Sequence, residues 1–162
     1  SGIQLFTKPN AQPHPMFAEF QTVMSSDLLD IVCGESLGEG ISRRVYECRL
    51  NSEYVVKLET ESGNFFNIHE WEFWSRAQYI PRIAKWLAPC SFISPNGKIL
   101  IQRKTEPPGP KHVWPKQVPK WMTDIQKRNF GLMDGKLVCH DYAINLSFEY
   151  GTTLRMKKAN WV

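Results

Sequence analysis

Five prolines, Pro107, Pro108, Pro110, Pro115 and Pro119, crowd the segment 105–119. Each fixes φ and removes a backbone donor, so neither a helix nor an inner strand can run through this stretch. Regular structure has to be sought on either side of it. The divisions read as an N-terminal arm and helix over 1–30, a first lobe over 31–104, a Pro-rich linker over 105–119 and a reduced second lobe over 120–162. At 162 residues the chain is one domain's worth of sequence and too little for two ordinary ones.

Within the arm, residues 1–15 are polar and Pro-rich, and Met16, Phe17, Phe20, Val23 and Met24 then recur at helical spacing. Two apolar, β-branched runs follow at 44–50 and 54–59, separated by Asn51-Ser52-Glu53, which is a hairpin signal. Residues 65–79 lack Pro and Gly and predict an amphipathic helix that Pro81 ends. Segments 85–94 and 98–102 read as two further strands around the turn Ser94-Pro95-Asn96-Gly97. Beyond the linker, 130–133 and 136–139 flank Asp134-Gly135, a favoured type I′ hairpin pair. Strands with one inserted helix, and then a short remainder, describe an α+β fold.

Composition narrows the class. A hydrophobic share of 42% and a charged share of 22% exclude disorder and fibrous architectures. The net charge of +4 is too mild to demand a nucleic acid, and Arg155, Lys157 and Lys158 read as a solvated tail. No apolar run approaches the roughly 20 residues of a bilayer span. Cys33, Cys48, Cys90 and Cys139 form no C-x-x-C pair and read as reduced thiols, which places the expectation in the cytoplasm. The histidines show no ligand spacing, and His140 is expected to be structural.

Several polar residues stand out against this background. Gly38 and Gly40, followed by Val45, describe a tight turn between strands whose backbone N–H groups can approach a phosphate without an intervening Cβ. Lys57 lies in Tyr54-Val55-Val56-Lys57-Leu58, where alternation puts it on one face with Val55. Glu70 has Phe66 and Trp74 four positions away on either side, so it shares an aromatic face and needs a cationic partner, for which Lys57 is the obvious candidate. Asp124, Asn129 and Asp141 lie at the ends of the 130–139 hairpin, which can bring them together. Taken singly, the glycine turn also reads as a structural hairpin and the lysine as a solvated edge residue.

The order of the parts is more specific: glycine turn, strand lysine, helix glutamate, apolar strand pair, Asp-x-x-x-x-Asn, hairpin, Asp. From about residue 31 to 143 the chain resembles the protein-kinase-like family. Leu37-Gly38-Glu39-Gly40 with Val45-Tyr46 resembles the glycine-rich loop, and Val55-Val56-Lys57 the third-strand lysine motif. Asp124-Ile125-Gln126-Lys127-Arg128-Asn129 resembles the catalytic loop, and His140-Asp141-Tyr142-Ala143 the metal-binding Asp-Phe-Gly. There is also a looser similarity to small kinase-like proteins encoded by bacteriophages, for which the location would be the host cytoplasm.

The resemblance implies a five-stranded antiparallel first-lobe sheet with one helix and a much reduced second lobe. It implies ATP and Mg2+ as ligands. Gly38 and Gly40 would cover the phosphates, Lys57 held by Glu70 would contact them, and Asp124 would accept the proton of the attacking hydroxyl. Asn129 and Asp141 would hold magnesium. Leu37, Val45 and Val55 would sandwich the base, and Ile101, Gln102 and Arg103 would lie where a hinge offers it backbone hydrogen bonds. The implied reaction moves the γ-phosphoryl group of ATP to a hydroxyl of a protein or small molecule. The alternative is a pseudokinase-like module that modulates a protein partner without phosphotransfer. A homodimer is compatible with either.

The chain departs from the family pattern at named positions. Arg43 replaces the third loop glycine, where it is expected to stiffen the turn or reach a phosphate. Met122-Thr123 stand where most kinases have His-Arg, which removes a receiver for activation-loop phosphate. Ala143 replaces the last glycine of the metal motif, and no Ala-Pro-Glu segment follows.

Overall fold

Period-two alternation in the first lobe resolves into one antiparallel sheet of five strands in the computed structural model. These are β1 (Cys33–Glu39), β2 (Arg43–Cys48), β3 (Tyr54–Glu59), β4 (Cys90–Ile93) and β5 (Ile99–Arg103), in the spatial order β1-β2-β3-β5-β4. The structure describes residues 27–162 apart from Ser62 and Thr152, so the arm and most of the helix expected over 1–30 lie outside the described residues. Val45 faces Lys57 across β2–β3, Lys57 faces Leu100 across β3–β5, and Val55 faces Gln102. Residues directly opposite share a face. Arg43, Val45, Val55, Lys57, Leu100 and Gln102 therefore line one side of the sheet.

Helix α1 (Phe66–Ala77) packs on that side, with Asn67, Glu70, Phe73 and Ala77 as its buried stripe. The stripe is offset from the Phe66–Glu70–Trp74 face expected from sequence: Phe66 and Trp74 are only half-buried, at its margins, and Glu72 is exposed. No side chain at the N-cap closes α1. Instead Glu59, at the end of β3, accepts a hydrogen bond from the Asn67 N–H at 2.6 Å, which puts a carboxylate at the positive end of the helix. The helix stops at Ala77, two residues short of the expected 79, and Pro81 opens the short α2 (Pro81–Ala84) at its first turn, where a missing N–H costs nothing.

Beyond the proline segment β7 (Phe130–Met133) and β8 (Lys136–Cys139) form the expected hairpin with unbroken register from Phe130 opposite Cys139 to Met133 opposite Lys136. Asp134 and Gly135 have φ of 50° and 78°, as a type I′ turn requires. The proline segment is more ordered than a linker. Gln117–Pro119 forms β6, which pairs with β9 (Met156–Lys158) drawn from the expected solvated tail. Aromatic packing explains it. The Trp161 indole donates to the Pro115 carbonyl at 2.8 Å and packs on Trp114 and Phe130 at centroid distances of 4.6 and 4.9 Å. A short helix α3 (Ser147–Tyr150) precedes β9.

Among the described residues one apolar core joins the five-stranded sheet and α1 to the 130–139 hairpin. It runs from Phe73, Ala77 and Leu100 through Leu87 and Trp121 to Cys139 and Tyr142. Phe73 meets Trp121 and Tyr142 edge-on at 5.2 and 5.9 Å. None of the helices among the described residues is long and apolar enough to cross a membrane.

Candidate functional site

A cluster of charge sits where the sheet, α1 and the end of the β7–β8 hairpin meet. Lys57 is 4% exposed and Glu70 is fully buried. Their side chains lie 2.5 Å apart, Nζ to Oε1. A lysine on the helix-facing side of β3 and a glutamate on the buried stripe of α1 have no solvent to turn to, so each is held by the other. Lys57 also donates to the backbone carbonyl of His140. The Glu70 carboxylate is saturated with donors. Besides Lys57 it accepts from Gln102 Nε2 at 3.2 Å, from Arg43 Nη2 at 3.2 Å and from the Tyr142 N–H at 3.1 Å. Burial alone would raise its pKa, but the adjacent charges of Arg43 and Lys57 overcome that and hold it down to about 2.

Arg43 is the member that the sequence motifs did not assign to this cluster. Expected to stiffen the glycine turn or reach a phosphate, it turns inward. Its Nη2 bridges Glu70 and Asp141, the latter at 2.8 Å, and its Nη1 donates to Asn67 Oδ1 at 3.3 Å. The guanidinium also lies 5.8 Å from the ring centre of Phe66. Burial works against its charge, yet Glu70 and Asp141 raise its pKa further. The signal was available in strand alternation: Arg43 stands two residues before Val45 and so shares its face with Lys57. Asn67, Gln102 and the His140 carbonyl were likewise missed as partners.

The second group is built on the approach to the hairpin. Asp124 holds a left-handed φ of 50°, a strained setting for a residue with a side chain. Asn129 Nδ2 donates to both the carbonyl and the carboxylate of Asp124 at 3.0 Å, and Gln126 Nε2 donates to the same carboxylate at 2.5 Å. The Asn129 carbonyl accepts from the His140 N–H at 2.9 Å, so the hairpin returns residue 140 to residue 129 and leaves Asp141 next in chain. His140 is fixed as a neutral spacer. Its Nε2–H donates to the Arg128 carbonyl and its Nδ1 accepts from the Thr105 hydroxyl, both at 2.8 Å, while burial and nearby Lys57 lower its pKa. Gly131 permits this, because a Cβ there would collide with the Thr105 side chain.

The structure thus brings Lys57, Glu70 and Asp141 into one cluster through Arg43 and the His140 carbonyl, and joins Asp124 to Asn129. Val45 and Val55 line the same sheet face. Leu37, Gly38 and Gly40 are exposed at the turn between β1 and β2, Leu37 by 47%, and a Cβ at Gly38 would meet nothing within 4 Å. The segment 101–103 is part of β5 itself. Ile101 faces the opposite side of the sheet from Lys57, the Gln102 side chain joins the Glu70 network, and the Arg103 N–H is taken by the Pro89 carbonyl. These three residues do not gather at the glycine turn.

Among the described residues no group of three or more His, Cys, Asp or Glu is placed to hold a metal ion. A magnesium ion that shares its shell with phosphate needs fewer protein ligands, one or two oxygens. The donor set fits that requirement. Asn129 Nδ2 is committed to Asp124 and Asp141 Oδ1 to Arg43, and among the described residues Asn129 Oδ1 and Asp141 Oδ2, on a side chain 50% exposed, accept no hydrogen bond.

No family model and no curated protein matches the chain. One solved structure, the streptomycin–ATP–APH(2")-IIa ternary complex, aligns over 52% of this chain and 28% of its own, with 17% sequence identity and a TM-score of 0.38. The aligned part is therefore well under half of that protein. A likeness this weak adds no weight to the functional reading, which rests on the residues themselves.

Proposed function

We propose that this chain binds ATP between the glycine turn and the charged cluster and transfers its γ-phosphoryl group to a hydroxyl of a protein or small-molecule acceptor. The observation that carries the reading is the buried Lys57–Glu70 pair, with the same ammonium on the backbone carbonyl next to Asp141. A lysine held in this way is a preorganised donor for phosphate oxygens, since its position is fixed before the ligand arrives. Gly38 and Gly40 keep side chains off the turn that would cover the phosphates, and the Gly40 N–H, which donates to the Arg43 carbonyl at 2.8 Å, fixes the shape of that turn. Asp124, strained and oriented by Asn129 and Gln126, accepts the proton of the attacking hydroxyl. Asn129 Oδ1 and Asp141 Oδ2 are the oxygens that would hold Mg2+, whose charge would offset that developing on the transferred group. Val45 and Val55 offer apolar surface to the base.

One observation favours the second reading, a pseudokinase-like module that acts through a protein partner. Every charged side chain of the cluster is already paired within the chain, Lys57 with Glu70 and Arg43 with Glu70 and Asp141. The two readings separate in one set of measurements. Phosphotransfer requires that ATP with magnesium raise the melting temperature, that Lys57→Ala or Asp141→Asn abolish the rise, and that label from γ-labelled ATP reach an acceptor unless Asp124 is changed to Ala. Stabilisation with no transfer leaves the binding module, and no stabilisation by any nucleotide removes the nucleotide role altogether.

A further inference from the structure

Asp141 meets a cation in this structure, and the cation belongs to the chain. We propose that Arg43 is a positioning residue that holds the Asp141 carboxylate against Glu70 until a divalent ion displaces it, and so sets the threshold for ion entry. The proposal rests on the reading of Asn129 and Asp141 as the ion's protein ligands.

The two ends of the contact are unequal. The Arg43 side chain is 8% exposed, and three residues of α1 hold it: Glu70 and Asn67 by hydrogen bonds, Phe66 by its ring face. The Asp141 side chain is 50% exposed, and among the described residues its carboxylate has Arg43 as its only side-chain partner. When the pair parts, Asp141 is therefore the side that moves. Arg43 keeps Glu70 and Asn67, so its charge is never left bare in the interior, which would be the costly outcome.

A guanidinium at 2.8 Å from Asp141 Oδ1 opposes a divalent ion in two ways. It occupies one carboxylate oxygen, and its positive charge repels a second cation drawn to the other. It also keeps the carboxylate at the cluster when no ion is present, so an ion that draws Asp141 away has to break this contact first. Arg43 thus raises the ion concentration needed to fill the site. The lysine does not share this role, because its bonds run to Glu70 and to a backbone carbonyl.

Mn2+ titrated into the nucleotide-free protein, with the free ion followed by electron paramagnetic resonance, tests this without any phosphotransfer. Arg43→Gln keeps hydrogen-bonding capacity and removes the charge, and Mn2+ should bind tenfold or more tightly than to the unaltered chain. In that background Asp141→Asn should remove the gain. Should Arg43→Gln not fold, Arg43→Lys takes its place, because one ammonium cannot reproduce the fork that reaches Glu70, Asn67 and Asp141 together, and Mn2+ affinity should rise severalfold. A merely structural Arg43 would lower ion affinity when altered. Equal or weaker Mn2+ binding in a folded variant, or a gain that survives Asp141→Asn, overturns the proposal. A tighter variant that transfers no label would leave it standing while the phosphotransfer reading fails.

Discussion

Hairpin β1–β2 slips register twice on its way to the charged cluster, between Cys33 and Ser36 and again between Ser36 and Gly38, whereas β7–β8 keeps one register throughout. The last five residues of β1 are exposed, and Ile41 in the turn that follows is 89% exposed. In β7–β8 the strand ends that face the cluster, Phe130 and Cys139, are buried, and the turn conformation is set by two residues with positive φ. In the first hairpin β2 is held, by its pairing with β3 from Arg43 to Glu47 and by the inward turn of Arg43, while the outer strand β1 is an exposed sheet edge. The second is fixed along its length. The spacing of Asn129 and Asp141 is set by the hairpin of regular register, and the glycine turn proposed to cover a ligand belongs to the irregular, exposed one.

The largest expected effect comes from the anchor common to both. Glu70→Ala leaves Lys57 and Arg43 buried with too few acceptors and should lower the unfolding free energy by about 3–5 kcal/mol in urea denaturation. The same carboxylate gives a pH signature. Its folded pKa of about 2 lies below the ordinary 4.5, so its contribution is complete above 4.5 and is lost as pH falls from there through 2. Acid unfolding of the unaltered chain should be steep in that window and shallower in Glu70→Gln, and equal acid profiles for the two would refute the assignment.

Next in size, Gly131→Ala drives a methyl group into Thr105 and should cost about 1–3 kcal/mol. If it costs nothing, Thr105 and His140 are not packed as described. Gly135→Ala, at φ of 78° with open space around it, should cost about 1 kcal/mol, a backbone penalty alone. Smallest of all, Gly38→Ala in the loose hairpin should change stability by less than about 0.5 kcal/mol. A large loss there would show that the first hairpin is as tightly built as the second.

The parts that sequence reading reached are those with a local signature. Asp134-Gly135 between apolar runs has one natural outcome, and strands 130–133 and 136–139 match it residue for residue. Lys57 and Glu70 were legible because each is a charge on an otherwise apolar face, and such charges need each other. Four of the sheet's strands were legible as apolar, β-branched runs, whereas the count of five came from the family resemblance. What escaped depended on distant pairing. A three-residue strand ending in Pro119 carries no period to detect, and its partner at 156–158 was masked by three cations, so the β6–β9 pair was not visible. Alternation put Arg43 on the Lys57 face, but its partner at residue 141 lies 98 positions away and has no local signature.

Cys139 closes the rigid hairpin, is 3% exposed, and donates its thiol proton to the Asp141 carbonyl at 3.2 Å. Burial raises its pKa, so the nucleophilic thiolate forms only when water reaches it. With Cys33 replaced to silence the most accessible thiol, the alkylation rate at Cys139 becomes a clock for how often the hairpin end opens from the segment 86–88 that covers it.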